Sequence, residues 1–424
     1  MRTVRSRPTS ISRILLSWVV CFSATTAMGK PLAADRRGET QDVATPIRAV
    51  RVLVRSNVST LRVRADGGIA VSDGADRAIG TVSGDDWIVV RPQSATAFEV
   101  ADGIVEDGVC HLRPVQGGSL RLSIRRDGQW LDEIHYPGSL HLTIRSRNLI
   151  DVVNLVDVER YVACVVAKEA WPTFATEAFR VQAIVSRGYV LFQMRRRTSA
   201  DYDVRATQGS QVYTGIRNDG TGRKAIDAAQ YTRGLVCTWH DGTADVLFSS
   251  YYSAACGGMS QPAAIFGKAD DIPPLAGGVP CDYCKIAPGE SYRWGPVRIE
   301  RRRVFDRLES RDSKMSSLKG LRNIEVIKRS PHGRSTRIRI TGDSGETHEM
   351  SSENFRLALG ASTVRSTDCD FRMTENHVVF ENGRGYGHGL GLCQWGAQGQ
   401  ALLGKTAAEI LRYYYPGTKL TRVY

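Results

Sequence analysis

From Ile47 to about Asp157, apolar and polar residues alternate with a period of two. Val50, Val52 and Val54 alternate with Arg51 and Arg55, and Leu61 and Val63 with Arg62 and Arg64. Leu120, Leu122 and Ile124 alternate with Arg121, Ser123 and Arg125, and Leu140, Leu142 and Ile144 repeat the pattern. Such spacing puts one row of side chains in a core and the other in water, as half-buried strands require. Asp66-Gly67, Asp102-Gly103 and Asp127-Gly128 interrupt it with dipeptides that suit tight hairpin turns. The prediction is antiparallel sheet.

The period changes at Asp157, a good N-cap, after which Tyr161, Val162, Val165 and Val166 recur at helical spacing. Pro172 bounds this helix, because a residue before proline is pushed out of the helical region. A second helix is predicted from about Thr176 to Arg196, with Val181, Ile184, Val185, Leu191 and Phe192 on one face. Gln182, Ser186 and Arg187 interrupt its apolar surroundings. Residues 200–220 are polar and Gly-rich. A short helix near 222–233 and a strand near 245–252 follow, then a long irregular stretch at 254–296. Beyond it the pattern predicts a basic helix (297–310), strands (321–328 and 335–341), a helix (351–359) and a strand (375–381). Residues 389–415 read as two short helices split at Gly404-Lys405. The fold class expected is α+β, a mixed antiparallel-sheet and helix domain preceded by a small β-rich segment.

Composition changes the picture mainly at the N-terminus. Arg2, Arg5, Arg7 and Arg13 precede an apolar stretch from Ile14 to about Gly29, and small residues follow at Ala33 and Ala34. This is the pattern of a signal peptide over residues 1–34, with a polar linker at 35–46. The apolar run is shorter than the roughly 20 residues of a spanning helix; retention as a membrane anchor is the alternative. The chain carries 57 basic and 44 acidic residues, a net charge of +13, and about +8 without the first 34 residues. A basic exported protein suits an anionic wall, and export argues against nucleic acid as a partner.

Glu169 is the sharpest catalytic candidate. It sits near the end of the first helix in Val165-Val166-Ala167-Lys168-Glu169-Ala170-Trp171-Pro172. The negative end of the helix dipole and a neighbouring tryptophan both disfavour its ionised form, as a general acid requires. The bland alternative is an exposed carboxylate paired with Lys168 or Arg196. The segment Gly383-Arg384-Gly385-Tyr386-Gly387-His388-Gly389-Leu390-Gly391 holds five glycines that let a backbone approach a ligand closely; a structural glycine turn with a hydrogen-bonded histidine is the alternative. Gln394 and Trp395 follow it. His388 with Cys393 would suit a thiol hydrolase, although a structural cysteine is the simpler reading. Cys281-Asp-Tyr-Cys284, with Cys256 upstream, has spacing that suits zinc, with His240 or another cysteine as fourth ligand. A disulfide is the competing reading in an exported chain.

Four blocks, in order, resemble the SpoIID/LytB family of sporulation protein D-like peptidoglycan lytic transglycosylases and amidase enhancers. They are Val152 to Glu169, Ala178 to Tyr189, Tyr251 to Ser260, and Gly383 to Ala397 continued by Ile410 to Thr418. The resemblance spans about residues 115–424, which sets the expected domains as a β-rich region at 47–114 and a SpoIID/LytB-like domain at 115–424. It implies that Glu169 is the catalytic acid/base, and that Gln182, Arg187, Tyr189, Arg384, Tyr386, His388 and Gln394 bind substrate. The implied reaction cleaves the MurNAc–GlcNAc bond of glycan strands and leaves 1,6-anhydroMurNAc ends, with no catalytic cofactor. The alternative is a non-enzymatic wall-binding enhancer of an N-acetylmuramoyl-L-alanine amidase. Either reading implies peptidoglycan as a partner, an amidase as a further one, and a secreted, periplasmic or cell-wall location. The chain departs from the family pattern at Ala170, Arg180, Gly188 and Ser253. Some members carry at the last position a histidine that would add a zinc ligand to Cys256, Cys281 and Cys284.

Overall fold

A computed structural model describes residues 49–145 and 148–424. The expected signal peptide and linker lie outside the described residues.

The alternating region forms two sheets. In the first, Val50–Val58 runs antiparallel to Ile150–Val156, which pairs in turn with Ser139–Ile144. Val109–Pro114, Ile69–Asp73 and Ala78–Val82 extend that sheet, and the two-residue strand Val204–Arg205 closes its other edge in parallel. In the second, Ser119–Arg126 lies beside Leu61–Arg64, followed by Ile88–Pro92, Phe98–Val100 and Gly103–Val105. Asp127 and Gly128 turn one of that sheet's two-residue hairpins, both with positive φ, which a two-residue turn of this hand demands. The inward rows, such as Leu61 with Val63 and Leu120 with Leu122, are buried in one core.

The expected boundary at 114/115 does not separate two units. Val109–Pro114 pairs with Ser139–Ile144, and Ser119–Arg126 pairs with Leu61–Arg64, so both sheets cross it. The same hydrophobic core runs on from Val50 to Tyr415. Local alternation marks strands but carries no information about which strands pair across the chain.

Three helices pack beyond the sheets: α1 (Val158–Glu169), α2 (Thr176–Arg196) and α3 (Gly220–Tyr231). Asp157 caps α1 by accepting from the amides of Glu159 and Arg160, and Asp219 caps α3 in the same way. The middle of α2, from Val181 to Leu191, is buried without interruption. A helix buried all round sits at the centre of a packed layer rather than on its surface. It touches α1, α3 and two C-terminal helices, α6 (Gln394–Leu402) and α7 (Ala407–Tyr414).

Residues 294–380 build a second hydrophobic core of their own around Trp294, Val304, Ile338, Phe355 and Phe380. It holds α4 (Arg301–Glu309), α5 (Ser352–Leu359) and two three-stranded sheets. The strands Thr347–Ser351, Asp370–Met373 and Thr418–Arg422 are too short for their pattern to be legible in the sequence, and 297–300 is strand rather than helix. The two ends of this unit meet where Arg293–Trp294 pairs with Gly383–Arg384. Gly383 is needed there, since a Cβ would stand 2.2 Å from the Trp294 ring. The insertion therefore returns the chain to the main core at the start of the Gly-rich segment. Among the described residues no helix is long and apolar enough to cross a membrane.

Candidate active site

Glu169 is the last residue of α1, and its side chain is only 4% exposed. Burial pushes its carboxyl up to about 8, because a charge taken out of water is costly. Three groups oppose burial in part. The Val212 amide donates to Oε1 at 3.0 Å, the Tyr252 hydroxyl hydrogen-bonds the carboxyl, and Lys168 adds a nearby positive charge. Gln211 orients the tyrosine: its Nε2 donates to the Tyr252 oxygen at 3.1 Å, while its Oε1 accepts from Tyr161 at 2.9 Å. With its oxygen already accepting, Tyr252 is left to donate toward Glu169. Burial thus keeps the carboxyl neutral at neutral pH, while the Val212 and Tyr252 donors would favour its anion.

The fourth sequence block comes to the same place. Gln394, the first residue of α6, donates from Nε2 to the Glu169 carbonyl at 3.4 Å and to Gln182 Oε1 at 3.1 Å. Gln182 donates in turn to Ser186 at 3.1 Å. Both glutamines are buried and bonded to the protein, so they position the acid rather than present donors to a ligand. Trp171, half-buried, stands two residues past Glu169, and its ring lies 5.5 Å from that of Trp395. Phe174 packs edge-on against Trp395.

The other expected binding residues go elsewhere. Arg187 is 0% exposed and pairs with Glu159, its Nε 2.9 Å from Oε1. Its remaining donors reach Thr232 and the carbonyls of Ala229 and Leu235. An arginine fully engaged inside the protein has no donor left for a sugar, so this residue is structural. Tyr189 is buried beside Tyr251. His388 is buried between the edges of Tyr251 and Phe266 and accepts from the Leu390 amide, and burial keeps it neutral. Tyr386 is buried, with its main chain paired to Ala255, while Arg384 is exposed and salt-bridged to Asp368. The glycines of this segment serve close packing within the protein. A Cβ on Gly391 would meet the Tyr251 carbonyl at 2.1 Å. Repeated glycine in a sequence signals close approach without saying what approaches.

Sequence reasoning missed Val212, a main-chain donor with no side-chain signature, and Gln211 and Tyr252. Tyr252 lay inside a recognised block. Of the two fourth partners the sequence allows, His240 or another cysteine, the structure brings in a cysteine: the buried Cys393 sulfur joins those of Cys256, Cys281 and Cys284, all within 4.8 Å of one another. All four are free thiols, at most 1% exposed. His240 is not part of the group; it is the exposed last residue of the strand Leu235–His240, near Asp245.

The structure thus sets a buried carboxyl group, with two hydrogen-bond donors on it, close in the chain to Trp171, whose ring pairs with that of Trp395. The Stage II sporulation protein family, SpoIID, matches residues 146–239, which span α1, α2 and α3. An uncharacterized protein of Brachyspira hyodysenteriae is 30% identical over 301 residues, covering 70% of this chain and 74% of its own. Stage II sporulation protein D of Bacillus subtilis is 26% identical over 282 residues, 63% of this chain and 76% of that one. The amidase enhancer of the same organism is 37% identical over 83 residues, 20% of this chain and 11% of its own length. The chain belongs to the SpoIID/LytB family.

Proposed function

We propose that this protein is a peptidoglycan lytic transglycosylase working outside the cytoplasm, with Glu169 as its general acid and base. The observation that carries the reading is the carboxyl group held protonated by burial, with the Val212 amide and Tyr252 hydroxyl placed to stabilise its anion. Glu169 would protonate the glycosidic oxygen between MurNAc C1 and GlcNAc O4 as that bond breaks. The resulting carboxylate would take the proton from the muramoyl 6-hydroxyl as its oxygen bonds to C1. The products are a 1,6-anhydroMurNAc end and a free GlcNAc 4-hydroxyl, and Glu169 is again protonated. One carboxyl suffices because the nucleophile belongs to the substrate, unlike the usual glycosidase pair. The exposed part of Trp171 would carry a sugar ring.

The similarity to an amidase enhancer favours a second reading, a wall-binding protein that stimulates an amidase without turnover. The two separate on product. Purified protein would be incubated with glycan strands, both stem-bearing and amidase-stripped, and the ends analysed by chromatography and mass spectrometry. The enzyme reading expects anhydro ends from wild type and none from Glu169→Gln. Glycan binding with no new ends from either protein supports the enhancer and refutes the enzyme.

A further inference from the structure

We infer that Cys256, Cys281, Cys284 and Cys393 bind one zinc ion, and that its bond to Cys393 holds the start of α6 against Glu169. The second half rests on the reading of Glu169 as the reacting group; the first half does not.

The donor set supports a closed tetrahedral site. Four thiolates bound to zinc at ~2.3 Å in a tetrahedron stand about 3.8 Å from one another. Cys256 and Cys284 are 3.8 Å apart, and all four sulfurs fall within 4.8 Å of one another. An all-sulfur set selects a soft metal over magnesium or calcium. The surroundings resemble the outer shell of a metal site. The amides of Cys256 and Gly396 approach Cys393 Sγ at 3.2 and 3.3 Å, and the Tyr414 hydroxyl lies 3.0 Å from Cys281 Sγ. Such bonds orient ligands and offset thiolate charge. Four protein ligands leave no open position, so the ion would brace the fold and take no part in the reaction.

What it would brace is specific. Cys281 caps the start of a short 3-10 turn, Asp282–Ile286, and Cys284 lies within it, in the long Gly- and Pro-rich loop, which carries little hydrophobic pattern of its own. Cys256 follows the strand Tyr252–Ser253, and the Arg334 guanidinium of the second core holds its carbonyl at 2.7 Å. Cys393 pairs with Ser253 and is the N-cap of α6. The next two residues are Gln394, bonded to the Glu169 carbonyl and Gln182, and Trp395, whose amide donates to Ala254 at 3.0 Å. The metal would thus join the loop, the strand bearing Tyr252 and the helix bearing Gln394.

The test begins with the metal content of the purified full-length mature protein and the absorption spectrum of its cobalt-substituted form. One zinc per chain and the spectrum of tetrahedral cobalt with four thiolates are expected. Cys393→Ser should weaken zinc binding by on the order of 100-fold or more, while Cys369→Ser, outside the cluster, keeps full metal content. Should Cys393→Ser fail to fold, Cys393→His supplies a replacement ligand and should restore both folding and zinc. Folded, metal-free protein with four readily alkylated thiols overturns the site, as does undiminished zinc affinity in Cys393→Ser. Hydrogen exchange at the Trp395 amide, with and without chelator, reads the coupling without reference to turnover. Lost protection on zinc removal, with α2 amides unchanged, supports it; unchanged protection refutes it. Zinc bound as expected in a protein that yields no anhydro ends removes the transglycosylase reading and leaves the metal site standing.

Discussion

Replacing Glu169 by glutamine tests the electrostatics of the site without reference to any substrate. The carboxyl is shifted from 4.5 to about 8 by burial. Each pKa unit corresponds to ~1.4 kcal/mol between the protonation states. Below pH 4.5 the group is protonated in both folded and unfolded chains and contributes no pH dependence. As pH rises from there toward 8, the unfolded chain ionises while the folded one stays neutral, so stability is lost throughout that window. The loss amounts to about 3 kcal/mol at pH 7 and levels off near 5 kcal/mol above pH 8, to order of magnitude. Glutamine is the neutral shape mimic and can still accept from Val212, so it should escape this loss. The assay is urea unfolding of wild type and variant from pH 4 to 9. The stability difference should be flat at the acid end and then grow in favour of glutamine until about pH 8. A difference independent of pH across that range would show that Glu169 is not held neutral, and the acid assignment would fall with it.

Four further outcomes follow from the same geometry. Turnover should fall along an alkaline limb with an apparent pKa near 8, since the acid must start protonated; a limb near 4.5 in the pH–rate profile contradicts this. Tyr252→Phe removes a donor to the anion, so that limb should move to higher pH and the maximal rate should drop, both read from the same profile. Gln394→Ala leaves Gln182 short of a buried partner and should cost about 1–3 kcal/mol in urea unfolding, with a lower kcat and little change in KM. Arg187→Ala strands the buried Glu159 carboxylate and should destabilise by roughly 3–5 kcal/mol; a folded, stable variant with weakened glycan binding would instead return Arg187 to the substrate site.

The helix that carries the acid was legible because its ends are chemically marked. Asp157 caps α1, and Pro172 stops any continuation of it. Thr176 and Arg196 bound α2 as the pattern predicts. The turn at Asp127-Gly128 was legible for the same reason, since few dipeptides accept two positive φ values. Pairing between distant strands was not, because alternation is local, and residues 47–114 looked separable until Val109–Pro114 paired with Ser139–Ile144. At the site, a buried functional residue and a buried structural one look alike in sequence. Arg187 and Gln182 both interrupt the apolar run of α2, yet one closes an ion pair with Glu159 and the other meets Gln394. Cys393 lies more than a hundred residues from Cys284, so no local spacing could assign it to the cluster.

The central claim is that bond cleavage is intramolecular in the sugar, with Glu169 serving both proton transfers. The most direct test is digestion of amidase-stripped glycan strands in water enriched in heavy oxygen, followed by mass spectrometry of the new ends. The account predicts one unlabelled 1,6-anhydroMurNAc end for every new GlcNAc end from wild type, and neither from Glu169→Gln. Reducing MurNAc ends carrying the heavy oxygen would show that water is the nucleophile, and would contradict it.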